Sequence, residues 1–299
     1  MPTIHANGLD IGYDVHGAGP PLVLLHGATS SGREDFAAQI PLLSRAFLVL
    51  VPDARGHATT RWDARQGFRY DWLADDLLAF VDALGLATFH LIGFSMGAMT
   101  ALQFASRTPD RLRTLVVVGI TTQREPRASV ARRLMDPARV DREDPAWAAE
   151  LAQRHDPVQG KDAWRQLLPA IAADVATQPL LAPGDLRRVE PPALVVVGDR
   201  DPFTPVDHAW GISRLLRDGR LLVAPDCGHV VPVRRAGLFN EALAGFYRST
   251  EAVALTRSRS GVAADGRGAG PADPASLAHA DGTPPAGQPD VTWLGERRR

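Results

Sequence analysis

The side chains best suited to chemistry on an acyl carbon are a serine, an aspartate and a histidine far apart in a chain of 299 residues. Ser95 lies in Gly93-Phe94-Ser95-Met96-Gly97, a G-x-S-x-G pattern, with the apolar run "FHLIGFS" before it and the helix-forming "SMGAMTALQFASRTPDR" after it. A sharp strand-to-helix turn strains the serine backbone, and the flanking glycines let strand and helix close around it. The hydroxyl then stands above the C-terminal edge of a sheet, beside a helix N-terminus whose free N–H groups favour developing negative charge. A serine hydroxyl is a poor nucleophile at neutral pH and needs a base, which in turn needs an orienting acid. His229, in "APDCGHVVPV", follows the last strand-like run, and "VVVGDRDPFTP" offers Asp199 and Asp201 after the run before it. Serine, then aspartate, then histidine is the order that such a sheet requires.

Those positions depend on the elements that carry them. Six apolar runs, "PLVLLHG", "FLVLVPD", "FHLIGFS", "LRTLVVVGI", "PALVVVGD" and "GRLLVAPD", are continuous, as parallel strands covered on both faces should be. Helical patterns separate them; in one, Trp72, Leu73, Leu77, Phe80, Val81 and Leu84 recur at helical spacing before Gly85. This alternation predicts an α/β fold, a mostly parallel twisted sheet flanked by helices. The opening "TIHANGLDIGYDVHG" predicts an antiparallel hairpin about Asn7-Gly8 at the sheet edge. Residues 121–190 hold no strand-like run and are broken by prolines, so a helical cap is expected there, inserted after the sixth strand. The core then comprises 1–120 and 191–249. From 250 to 299 the chain is rich in Gly, Pro, Ala and Asp, which predicts a disordered tail; its "VTWL" is either a docking motif or part of that passive tail.

Composition bounds the rest. A hydrophobic share of 45%, a charged share of 22% and a net charge of −1 are those of a soluble globular protein, and point to neither nucleic acid nor a membrane as partner. Cys227 is the single cysteine, which excludes an intrachain disulfide and a cysteine metal cluster, and is expected to be a buried structural thiol. No zinc-type ligand cluster and no glycine loop with a lysine occurs, so no metal and no cofactor is expected. The N-terminus lacks a basic stretch followed by an apolar one, and a soluble cytoplasmic protein is the expectation. The sequence leaves the oligomeric state open.

Four motifs stand in order: His26-Gly27, the serine turn, Gly198-x-x-Asp201 and Gly228-His229. Over Ile4–Arg248 the chain resembles the α/β-hydrolase fold family, in the branch of small cap-bearing hydrolases that includes esterases, enol-lactonases, C–C hydrolases and cofactor-free haloperoxidases. The resemblance implies that Asp201, three residues beyond Gly198, is the acid and that Asp199 caps its own turn. It implies oxyanion donors at the backbone N–H groups of Met96 and Ala28, and a structural His26. The stretch "PDARGHATTRW" is similar to the family's D-x-R-G-h-G-x-S loop, with Ala58 and Thr60 for the usual glycine and serine and His57 as a packing residue.

Serine at the turn sets the chain apart from relatives that open epoxides or displace halide with an aspartate. The cap also lacks the tyrosines with which epoxide hydrolases hold an oxirane oxygen. Phe94, Trp147 and Trp164 are candidates for the pocket wall, the tryptophans alternatively only packing the cap. Cap charges are balanced, Arg132 and Arg133 against Asp141, Glu143 and Asp144, and indicate no anionic substrate. The expected activity is hydrolysis of a small, largely apolar carboxylic ester or lactone through an acyl-enzyme. C–C hydrolases, thioesterases or acyltransferases and perhydrolase-type haloperoxidases share the triad. A hydrolase-fold ligand receptor is the non-enzymatic alternative.

Overall fold

A computed structural model describes residues 1–260. It opens with a hairpin of β1 (Thr3–Ala6) and β2 (Leu9–His16). Ala6 faces Leu9 across Asn7 and Gly8, whose φ of 49° and 73° are the left-handed pair that a two-residue hairpin turn needs. There follow β3 (Pro21–Leu25), α1 (Gly32–Asp35), α2 (Ile40–Leu43), β4 (Leu48–Pro52), α3 (Tyr70–Ala83), β5 (Phe89–Phe94), α4 (Met96–Arg107) and β6 (Leu112–Val118). Then come the cap helices: α5 (Arg127–Leu134), α6 (Pro137–Glu143), α7 (Pro145–Gln159), α8 (Trp164–Thr177) and α9 (Pro183–Arg187). The chain returns through β7 (Ala193–Gly198), α10 (Val206–Leu215), β8 (Gly219–Ala224), α11 (Val231–Arg234) and α12 (Ala236–Ser260).

The strands form one sheet in the order β1-β2-β4-β3-β5-β6-β7-β8. The pairs β1–β2 and β2–β4 are antiparallel and the remaining pairs are parallel. The runs are continuously apolar because both faces are covered. In β6, Leu115 and Val117 enter the core under α3, α4 and α10, while Val116 and Val118 enter the one under α1, α2 and α12. The chain leaves β3 toward β4 on one side and returns to β5 on the other. That reversal opens a crevice at the C-terminal strand ends, where ligands bind in such sheets.

The C-terminal boundary differs from the sequence expectation. Helix α12 continues through the residues from 250 to Ser260, and Thr250 is buried with its hydroxyl on the Phe246 carbonyl. The rest of the expected tail, residues 261–299 with "VTWL", lies outside the described residues. Among the described residues, no helix is long and apolar enough to cross a membrane.

Candidate active site

Ser95 joins β5 to α4 with φ 53° and ψ −109°, a conformation that only a well-supported turn retains. The support is close backbone contact. A Cβ at Gly93 would stand 2.2 Å from the Gly97 carbonyl oxygen, and one at Gly97 2.2 Å from that of Leu25. The Ser95 amide donates to the Val118 carbonyl at 2.8 Å, pinning the turn between neighbouring strands.

His229 Nε2 lies 2.9 Å from Ser95 Oγ, and His229 Nδ1 lies 2.8 Å from Asp201 Oδ2. The other carboxylate oxygen of Asp201 accepts from the amides of Phe203 at 2.8 Å and Thr204 at 3.1 Å, so the carboxylate cannot rotate away. The imidazole is also held between Phe203 and Phe94, with ring centres 4.5 Å and 5.2 Å away. Asp199 instead accepts from the Cys227 amide at 3.0 Å, tying the loop after β7 to the one that carries His229. Cys227 is buried.

Ala28 follows β3 and Met96 opens α4, and both border the same pocket as Ser95. Neither amide has a hydrogen-bond partner among the described residues, as expected at Met96 for the first turn of a helix. Three buried histidines fix the loop around Ala28. His26 accepts the Ala54 amide on Nε2 at 2.9 Å and donates to the Gly27 carbonyl. His57 accepts from the Thr29 amide at 3.0 Å and donates to the Arg55 carbonyl. His155, from α7, accepts from the Ala58 amide and donates to the Thr29 carbonyl. Burial, with His26 and His155 nearby, holds His57 well below the usual imidazole range, and burial with Arg154 lowers His155 to about 4, so both are neutral struts at physiological pH. Ala58, where the resembling loops have glycine, takes φ 39°.

The pocket between sheet and cap holds about 780 Å³ of empty space, counting its mouth. Phe94 and Trp147 line it. Trp164 does not: it is buried in a separate cap cluster with Val140, Trp147, Leu151 and Leu168, because the face of α8 that bears it turns toward α6 and α7. Four residues that the sequence did not single out also border the pocket: Tyr70, Gly119, Arg127 and Phe203. Only Gly119 left a trace in the sequence, as a glycine directly after a strand. Among the described residues, no group of histidine, cysteine and carboxylate side chains could hold a metal ion.

A family model described as the alpha/beta hydrolase fold matches residues 20–156. A 2-hydroxy-6-oxononadienedioate/2-hydroxy-6-oxononatrienedioate hydrolase of Klebsiella pneumoniae is 27% identical over 268 residues, covering 81% of this chain and 90% of its own. The structure titled Est816 as an N-acyl homoserine lactone degrading enzyme is 28% identical with a TM-score of 0.67, over 82% of this chain and 100% of its own. A thermophilic esterase from Thermogutta terrifontis is 25% identical with a TM-score of 0.66, over 84% and 97%. In fold, in the serine turn and in its relatives alike, the chain is similar to the α/β hydrolases; it has the α/β-hydrolase fold and is a hydrolase.

Proposed function

We propose that the protein hydrolyses a small carboxylic ester or lactone through an acyl-enzyme on Ser95. The observation that carries this reading is the hydrogen-bonded line from Ser95 Oγ through His229 to Asp201. As Ser95 attacks the substrate carbonyl, His229 Nε2 takes the hydroxyl proton. Asp201 keeps the opposite ring nitrogen protonated and stabilises the imidazolium that forms. The N–H groups of Ala28 and Met96 receive the oxyanion. Collapse of the tetrahedral intermediate breaks the ester C–O bond, and His229 passes its proton to the departing alkoxide. A water deprotonated by the same histidine then releases the acid and restores Ser95.

A second reading, hydrolysis of a carbon–carbon bond, is favoured by the Klebsiella relative, whose named substrates are oxo acids with a ketone beside such a bond. A fluorophosphonate probe should label the wild type and not Ser95→Ala; equal labelling of both would sink the assignment of the nucleophile. Steady-state turnover of p-nitrophenyl esters, lactones and a vinylogous 1,5-diketone then separates the two readings. Negligible turnover across that panel, with ligand-dependent thermal stabilisation, would instead indicate a receptor.

A further inference from the structure

Arg55 and Arg127 are the two buried arginines among the described residues. Arg55 behaves as a buried cation should, its Nε and Nη2 each 2.6 Å from an oxygen of Asp76 in a side-on fork. Arg127, the first residue of α5, is 8% exposed, and the same edge of its guanidinium, Nε and Nη2, has no partner. Its neighbour Arg124 already meets the structural demand of this segment, donating to the Ala176 and Gln178 carbonyls at the end of α8.

Among the described residues, no carboxylate supplies the missing partner. Asp174 influences Arg127 electrostatically but forms no ion pair with it, and accepts instead from the Tyr70 amide at 3.1 Å. Asp35, also at the pocket, is taken by the Gly27 amide at 2.7 Å. Arg127 lines the pocket that holds Ser95, among the apolar side chains of Ala131, Leu134, Met135 and Val175. Tyr70 borders the same space, its hydroxyl has no hydrogen-bond partner among the described residues, and burial pushes its pKa up, so it remains a donor.

We propose that Arg127, with the Tyr70 hydroxyl in the same wall, forms an anion subsite of the catalytic pocket, and that the substrate bears a carboxylate in addition to the bond that is cleaved. A planar guanidinium edge sealed from water matches the two oxygens of a carboxylate, and the apolar surround strengthens the pairing. This rests on the hydrolase reading above and specifies its substrate class. It also changes the expectation drawn from the balanced cap charges. That balance set Arg132 and Arg133 against acidic neighbours; Arg127 differs from both in being buried and without a partner.

The test compares mono-p-nitrophenyl adipate with the neutral p-nitrophenyl heptanoate. The wild type should prefer the adipate monoester by roughly tenfold or more in kcat/KM, and Arg127→Gln should lower that preference by roughly 30-fold, mainly through KM. Arg127→Met repeats the measurement should the glutamine variant fold poorly, and Arg127→Lys should recover part of the preference. A ratio unchanged in both neutral variants overturns the subsite.

A second readout needs no turnover: adipate should raise the Tm of Ser95→Ala but not of Ser95→Ala/Arg127→Gln. Normal fluorophosphonate labelling of Ser95 with an Arg127-independent ester ratio removes the anion subsite alone. Absent labelling with an Arg127-dependent adipate shift removes the ester reading and leaves the subsite.

Discussion

Gly119→Ala is expected to disable the site without touching any of its reacting atoms. Gly119 follows β6 with φ 64°, and its amide donates to Val196. A Cβ there would stand 2.9 Å from Cε1 and 3.1 Å from Nδ1 of His229, and 3.6 Å from Asp201 Oδ2. Ordinary carbon contacts lie at about 3.5–4.0 Å, so the imidazole would have to retreat by roughly 0.5–1 Å. Phe94 and Phe203 resist that retreat, and any movement that succeeds lengthens the 2.9 Å contact with Ser95. A misplacement on the order of 1 Å costs about 100-fold in rate, or ~2.7 kcal/mol of barrier. The left-handed backbone costs alanine ~1–2 kcal/mol, offset by ~0.4–1 kcal/mol from the stiffer unfolded chain, so Tm should fall by only about 2–4 °C. Gly85→Ala is the control: Gly85 has φ 68° and nothing within 4 Å of its added Cβ. Both variants should lose similar stability, while only Gly119→Ala loses kcat/KM and the second-order rate of fluorophosphonate labelling. Gly119→Ala activity within about threefold of wild type would refute the steric reasoning, because the loop rather than the imidazole would have given way.

Two further outcomes follow from the same geometry. Asp201→Asn should lower kcat/KM by roughly 10³–10⁴, since the amide no longer fixes the His229 tautomer. Asp199→Ala should keep activity near wild type and lower Tm by removing the acceptor of the Cys227 amide; the reverse pattern would mean that the acid has been misassigned. Stability should also fall as pH is lowered from 7 to 5. His57 and His155 stay neutral in the fold, so below the unfolded imidazole pKa of about 6.5 the unfolded chain binds protons that the folded one does not. Each loses about 1.4 kcal/mol per pH unit, the loss continuing down to the folded value, about 4 for His155. Asp35, raised by burial, contributes in the opposite sense. A Tm that holds or rises between pH 7 and 5 would show that the buried histidines are not the neutral struts described.

The sheet was legible because parallel strands covered on both faces leave unbroken apolar runs, and glycine or proline marks their ends. The meeting of Ser95, Asp201 and His229 was legible for a related reason. One lies in a local pentapeptide, and the other two follow β7 and β8 across the sheet's C-terminal edge. What escaped depends on burial and on contacts across the chain. Gly119 matters through a histidine on a loop beyond β8, which no local pattern reveals. Trp164 has the composition of a pocket residue, but the face of α8 that bears it points into the cap's own core. Tyr70 escaped because it lies outside the cap, at the start of α3, which also closes the pocket. Arg127 was hidden among the many arginines of a chain with a single lysine, where a balance of charges weighs exposed and buried groups alike.

The contrast between Arg127 and the groups beneath it bears on where specificity resides. His26, His57, Asp35 and Asp201 belong to the core, and each has its hydrogen bonds met; the loops that they hold carry the Ala28 amide and the imidazole of His229. His155 reaches down from the cap and is equally well met. Groups so constrained keep one geometry whichever substrate enters, which suits attack on a carbonyl. Arg127 sits on the cap's first helix with its donors unmet, and an uncompensated buried charge lowers the stability of the ligand-free fold. A ligand carboxylate would remove that penalty on binding, so its contribution to affinity includes the relief as well as the new hydrogen bonds. The attack is thus specified by the sheet, and what is attacked by the helix that closes over it.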